Sequence, residues 1–175
     1  MKAAIAVILF FVASAFAQET PAVPHPQAAC GPTGIGFDTE TSTARTPAQP
    51  DPGKALVYVA EDFTTIQPTI GAITIKVGLD GAWMGATHGG SYIFFQVSPG
   101  EHHLCIKWQS HFKRFSKLAA FARLNAEPGK TYYFRARSMY NPQWANEYLD
   151  LDALDPDEGQ YMVATSRPMA SHPKK

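Results

Sequence analysis

An excess of charge of either sign is missing from this chain, and cysteine is scarce. Lys and Arg number 15 and Asp and Glu number 15, so there is no basic surplus with which to hold nucleic acid or an anionic membrane surface. The two cysteines, Cys30 and Cys105, are too few for a Cys-rich zinc site and too far apart for a redox C-x-x-C. No G-x-S-x-G nucleophile elbow occurs. His88-Gly89-Gly90-Ser91 therefore has no esterase serine to serve, and its glycines read as a bend between strands. Gly129-Lys130-Thr131 ends like a phosphate-binding P-loop, but Leu124 stands where the first glycine is required and strand-forming residues follow. Gly34-x-Gly36 lacks both the third glycine and a preceding strand. Beyond the N-terminus, no apolar run approaches the roughly 20 residues of a membrane span.

The one long apolar run is at the start. Met1-Lys2 is followed by apolar residues from Ala3 to Ala13, then by Ser14-Ala15-Phe16-Ala17 and the polar Gln18-Glu19-Thr20. This is the layout of a secretory signal peptide, residues 1–17, cut after Ala17, and the run is too short for an uncleaved anchor. Cys30 lies too far past it to be a lipidation site. The reading is therefore an exported protein, periplasmic or secreted, with no transmembrane segment after cleavage. In an oxidising compartment an isolated cysteine pair is read as a disulfide, Cys30 to Cys105. Closing a loop of this length is worth about 4 kcal/mol in the chain-entropy model.

Residues 18–52 are rich in Pro, Thr and Ala and read as an extended leader, fixed only near Cys30. The domain is expected over 53–166, as a succession of short strands. Residues 73–79 alternate strictly, with Ile73, Ile75, Val77 and Leu79 on one face. Asp80-Gly81 then supplies a hairpin turn into Ala82-Trp83-Met84-Gly85. Residues 91–97 are apolar on both faces, as expected of a strand covered on both sides. Residues 102–108 send Leu104, Ile106 and Trp108 inward and His103, Cys105 and Lys107 outward, so the leader is expected to cross the outer face at Cys105. Residues 112–125 are ambiguous between helix and strand, with strand favoured for the second half. Residues 131–137 form a strand with Tyr132, Phe134 and Ala136 inward. Two shorter strands are expected at 148–151 and 160–165, separated by an acidic turn, before a flexible tail over 167–175. Short strands punctuated by Gly and Pro turns imply an all-β, antiparallel sandwich.

Several blocks carry a family likeness. They are Gly53 through Val59, Val77 through Gly85, Tyr92 through Val97, Ser98 through Leu104, Pro128 through Phe134 and Asp157-Glu158-Gly159. Together they resemble domain-of-unknown-function family 2846, a group of exported bacterial proteins. The resemblance spans about 53–166 and implies a β-sandwich core akin to PEGA-type modules. It brings no catalytic or binding residues with it.

Among residues able to carry chemistry, adjacent His102 and His103 must face opposite sides of a strand and cannot share one metal ion. The acids Glu147, Asp150, Asp152, Asp155, Asp157 and Glu158 do not follow the EF-hand order and read as a solvated turn. Lys113, Arg114 and Lys117 read as a wet basic face. Aromatic residues near loops are the remaining hint of recognition: Trp83 beside the Asp-Gly turn, and Tyr140 and Trp144 in a second loop, with Tyr133 opposite the inward face. For Trp83, closing the end of the sandwich is the competing role. The sequence thus points to a non-catalytic envelope accessory or binding module with no catalytic residue, metal or cofactor, and with an envelope protein or glycan as partner. The alternatives are a metal-dependent or hydrolytic enzyme using His88, His102 and the acids of 150–158, and a purely structural domain.

Overall fold

The computed structural model describes residues 29–43, 49–62, 72–141, 143–144 and 146–174; the expected signal peptide, residues 1–17, lies outside them. The strands are β1 (Phe37–Thr41), β2 (Ala55–Asp62), β3 (Thr74–Leu79), β4 (Ala82–His88), β5 (Ser91–Val97), β6 (Gly100–Trp108), β7 (Ala119–Ala126), β8 (Thr131–Asn141), β9 (Asn146–Leu154) and β10 (Arg167–Pro173). A one-turn helix, α1 (Lys113–Ser116), precedes β7, and α2 (Pro156–Thr165) precedes β10. The strands form a six-stranded sheet ordered β1-β10-β5-β2-β8-β9 and a four-stranded sheet ordered β4-β3-β6-β7. β4 lies over β1, β5 and β10, while β6 and β7 lie over β9. The architecture is the expected all-β sandwich. Its larger sheet is mixed, because β2–β8 and β5–β10 run parallel.

Alternation dictates this packing. Val57 and Val59 of β2, Ile75 and Val77 of β3, Ile93 and Phe95 of β5, Leu104 and Ile106 of β6, Phe134 of β8 and Leu151 of β9 all face the space between the sheets. Burying each such side chain is worth roughly 1.5–3 kcal/mol relative to leaving it exposed. The β3–β4 turn forms because Asp80 and Gly81 both take positive φ, 48° and 86°, the backbone a two-residue hairpin needs. His102 then locks that turn to the next one: its Nδ1 lies 2.6 Å from Asp80 Oδ2 and its Nε2 2.7 Å from the Ser98 carbonyl oxygen.

The outer face of the six-stranded sheet carries a third layer. Leu56, Tyr58 and Ala60 of β2 and Tyr92 of β5 pack with Tyr133, Met162 and Val163 under α2. Residues 160–165, expected as a strand, are therefore the second half of a helix. The local reasons are in the chain: the Asp155 carboxylate accepts from the Asp157 and Glu158 amides as N-cap, and Pro156 follows at the first helical position. Gly159 lets the helix approach, since a Cβ there would enter the Tyr133 ring.

Two stretches expected to be irregular, 37–41 and 167–173, are strands. Residues 167–173 form β10 instead of a loose tail, and residues 37–41 of the leader form β1. The two pair antiparallel from Phe37 against Pro173 to Thr41 against Met169. Each supplies the other's backbone partners, which neither stretch reveals alone. The ambiguous 112–125 stretch resolves into α1 followed by β7, with Phe115 stacked on Trp108 at 4.6 Å. Phe94 is 38 % exposed, so β5 is not covered completely on its outer face.

Candidate functional site

The outer face of the four-stranded sheet is crossed by the loop 29–36. Cys105 of β6 points out of this face, and Cys30 meets it in a disulfide with the two Cα atoms 5.1 Å apart. Two glycines allow the loop to lie flat on the sheet. A Cβ at Gly78 would sit 2.9 Å from the Ala29 carbonyl oxygen, and one at Gly31 would enter the Trp83 ring. Polar contacts complete the seam: the Gly81 amide donates to Ala29 O at 3.2 Å and the Trp83 indole N–H donates to Pro32 O at 2.8 Å.

Between this loop and the ends of β3 and β6 lies a pocket of about 570 Å³. Its volume falls in the range of small-molecule sites. Lys76, Lys107, Lys174 and His111 line it together with Trp83 and Trp108, and among the described residues no Asp or Glu does. Lys76 and Lys107 are register partners on adjacent strands, an arrangement in which like charges repel. Lys76 is nearly buried, at 8 % exposure. Its Nζ donates to the Ile35 carbonyl oxygen at 2.7 Å and stands 4.1 Å from the centre of the Trp83 ring. Burial, and then the neighbouring Lys107, lower its pKa from the ordinary lysine value. Among the described residues neither Lys76 nor Lys107 has a carboxylate partner. The far wall is held by Gln109, whose amide accepts from Phe37 N–H at 2.7 Å and donates to Phe37 O at 2.8 Å. Lys174 at the rim lies 3.4 Å from Asp38.

The three aromatic candidates do not converge. Trp83 lines the pocket and clamps the loop, so it neither fills the inter-sheet core nor stands free. Tyr140 and Trp144 lie at the β8–β9 hairpin, with Trp144 75 % exposed and its amide donating to Asn141 Oδ1 at 3.3 Å. That hairpin joins the edge of the larger sheet opposite β1, whereas β4 covers the β1 side. Tyr133 is stacked on Tyr58 at 5.3 Å, beneath α2. With Tyr58 and Tyr92 it lines a second hollow of about 560 Å³ beside the helix.

The acidic stretch is not a solvated turn. Asp150 and Asp152 lie on β9 opposite Arg137 and Arg135 of β8. Arg137 Nη2 stands 2.8 Å from Asp150 and 2.6 Å from Asp152, and Arg135 Nη1 stands 2.7 Å from Glu158. Arg114 of the expected wet basic face reaches Glu147 with both carboxylate oxygens near 3 Å. These acids are matched to arginines, and Asp155 is spent on the helix cap. Among the described residues no group of three or more His, Cys, Asp or Glu is placed to hold a metal ion. The Asp80–His102 pair has the spacing of a catalytic dyad, but the second imidazole nitrogen faces a carbonyl oxygen where a nucleophile would be required. His88 is engaged with the Thr74 hydroxyl at 3.1 Å.

Glu61 is a residue the sequence reading passed over. It continues the inward row of Val57 and Val59, is 1 % exposed, and has no hydrogen-bond partner for either carboxylate oxygen among the described residues. Burial raises its pKa to about 7, offset only in part by the more distant Thr87 hydroxyl and Gly89 amide.

A family model described as a protein of unknown function, DUF2846, matches residues 51–147. That stretch runs from β2 into β9 and contains Lys76, Trp83 and Lys107, whereas the Cys30 loop, α2 and β10 lie outside it. No curated protein and no solved structure matches the chain. Because the family model covers more than half of the sequence, the chain belongs to the DUF2846 family.

Proposed function

We propose that this protein is an exported, non-catalytic binding module of the bacterial envelope, and that its ligand enters the pocket beneath the disulfide-pinned loop. One observation carries the reading: Lys76 and Lys107 are held side by side, one of them almost buried, with no carboxylate partner among the described residues. A fold gains nothing from such a pair, and local conflicts of this kind concentrate at functional sites. Export is supported by the N-terminal sequence and by the Cys30–Cys105 disulfide, which suits an oxidising compartment. The non-catalytic character is supported by the way candidate groups are already occupied: His102 by Asp80 and Ser98, the β9 acids by arginines.

The test is an NMR titration of the ¹⁵N-labelled mature protein with the low-molecular-weight fraction of an envelope extract. Shifts centred on the Trp83 indole N–H support the pocket. Shifts centred on Tyr140 and Trp144 move the site to the β8–β9 hairpin, and no shift anywhere leaves a purely structural domain.

A further inference from the structure

We infer that the pocket beneath the Cys30 loop binds a phosphoryl group, carried by a small molecule, between Lys76 and Lys107. The inference rests on the binding-module reading and adds the ligand's chemical class. Three features lead to it. Among the described residues the pocket walls bring together three lysines and a histidine and no carboxylate, Asp38 outside the wall pairing only with Lys174 at the rim, so the field inside favours an anion although the whole chain is neutral. Lys76 has the Ile35 carbonyl as its one hydrogen-bond acceptor among the described residues, which leaves ammonium protons for a ligand. Removing a cation from water without a counter-charge is costly, and a bound dianion relieves both that cost and the Lys76–Lys107 repulsion.

The donor set selects among anions. Among the described residues no arginine lines the pocket, so the planar fork that recognises a carboxylate by two parallel hydrogen bonds is missing there. Lysines act instead as point charges, which suits oxygens spread tetrahedrally around phosphorus. Ser110 adds a hydroxyl; it accepts from the Phe112 amide and keeps its own proton to donate. The Thr33 and Ser116 hydroxyls at the same pocket give a sugar attached to the phosphate polar partners.

The experiment uses the oxidised mature protein and follows the Trp83 indole resonance. It is titrated separately with inorganic phosphate, glucose 6-phosphate, glucose, and vesicles of phosphatidylcholine with or without phosphatidylglycerol. The expected result is saturable binding of phosphate and, more tightly, of the sugar phosphate. Lys107→Gln should weaken it about tenfold, the loss of one charge-assisted contact. Lys107 is partly exposed, so this variant keeps the fold, and a thermal midpoint no lower than that of wild type is the control, since the substitution also removes the Lys76–Lys107 repulsion. Preference for anionic vesicles over the soluble phosphates would assign the same chemistry to a lipid headgroup. Binding of glucose alone, indifferent to Lys107→Gln, overturns the phosphoryl assignment but keeps the binding module. No response at Trp83 to these probes overturns the phosphoryl assignment, and if the envelope extract shifts no resonance anywhere in the protein, the module reading falls with it.

Discussion

Replacing Glu61 by Gln should make the protein more stable at pH 8 and leave it nearly unchanged at pH 5. Glu61 lies between the sheets with neither oxygen hydrogen-bonded among the described residues, and desolvation raises its pKa from 4.5 to about 7. An acid whose folded pKa exceeds its unfolded value binds more protons in the native state throughout that interval. Stability therefore falls as pH rises from about 4.5 to about 7, and the loss is complete above it. At about 1.4 kcal/mol per pKa unit, the charged form costs about 3 kcal/mol. For a chain of this size that corresponds to roughly 6–12 °C in thermal midpoint. Gln keeps the shape and cannot ionise, although its unpartnered amide takes back about 1 kcal/mol or more of the gain. Urea unfolding of both proteins at pH 5 and pH 8, without reductant, isolates the effect, because other titrating groups such as His102 are common to both. Parallel pH dependences for wild type and variant would refute the reasoning.

Three further outcomes follow from particular contacts. Replacing Cys30 and Cys105 together by Ser should lower stability by about 4 kcal/mol, the chain-entropy value for a 75-residue separation; a thermal midpoint within 2–3 °C of wild type (less than about 1 kcal/mol) would show that the cross-link contributes little. Gly159→Ala should cost about 1–3 kcal/mol by overpacking, because the added methyl enters the Tyr133 ring and α2 must lift; near-ultraviolet circular dichroism of the tyrosines and the melting midpoint report it, and an unaltered midpoint contradicts the close contact. The His102 imidazole should titrate above the ordinary histidine value: burial pulls its pKa down, but the Asp80 carboxylate and the Ser98 carbonyl outweigh it. Its stabilising contribution is present below pH 6.5 and is lost as pH rises through the folded pKa; Asp80→Asn should bring the NMR midpoint down, and no movement would rule out the pairing.

Much of the fold was legible because strand alternation is a local signal. Ile75 and Val77, or Leu104 and Ile106, declare their shared face within a few residues, and Asp80-Gly81 declares its turn. The outward direction of Cys105 followed from the same rule, and with it the path of the leader. Non-local facts were harder to read. β1 and β10 each depend on a partner more than 120 residues away, so neither looks like a strand by itself. In α2 the strand-like Tyr161-Met162-Val163 outweighed a real start signal, Asp155-Pro156 with Glu158 at the third helical position. The site was half visible: Trp83 was singled out and Lys107 was placed outward. Nothing in sequence brings Lys76 beside Lys107, since β4 and β5 intervene before β6 returns to β3. Glu61 required one more step of the β2 alternation, past Ala60, to be recognised as inward.

The account depends most on the loop 29–36 being held flat against the outer face of the four-stranded sheet, closing the pocket. Hydrogen exchange at the Trp83 indole N–H and the Gly81 amide measures this directly, because both donate to carbonyls of that loop. Both protons should be protected in the oxidised protein and should exchange much faster once the disulfide is reduced, while the β2 amides at the centre of the larger sheet stay protected. Fast exchange at Trp83 and Gly81 in the oxidised protein would contradict the closed pocket.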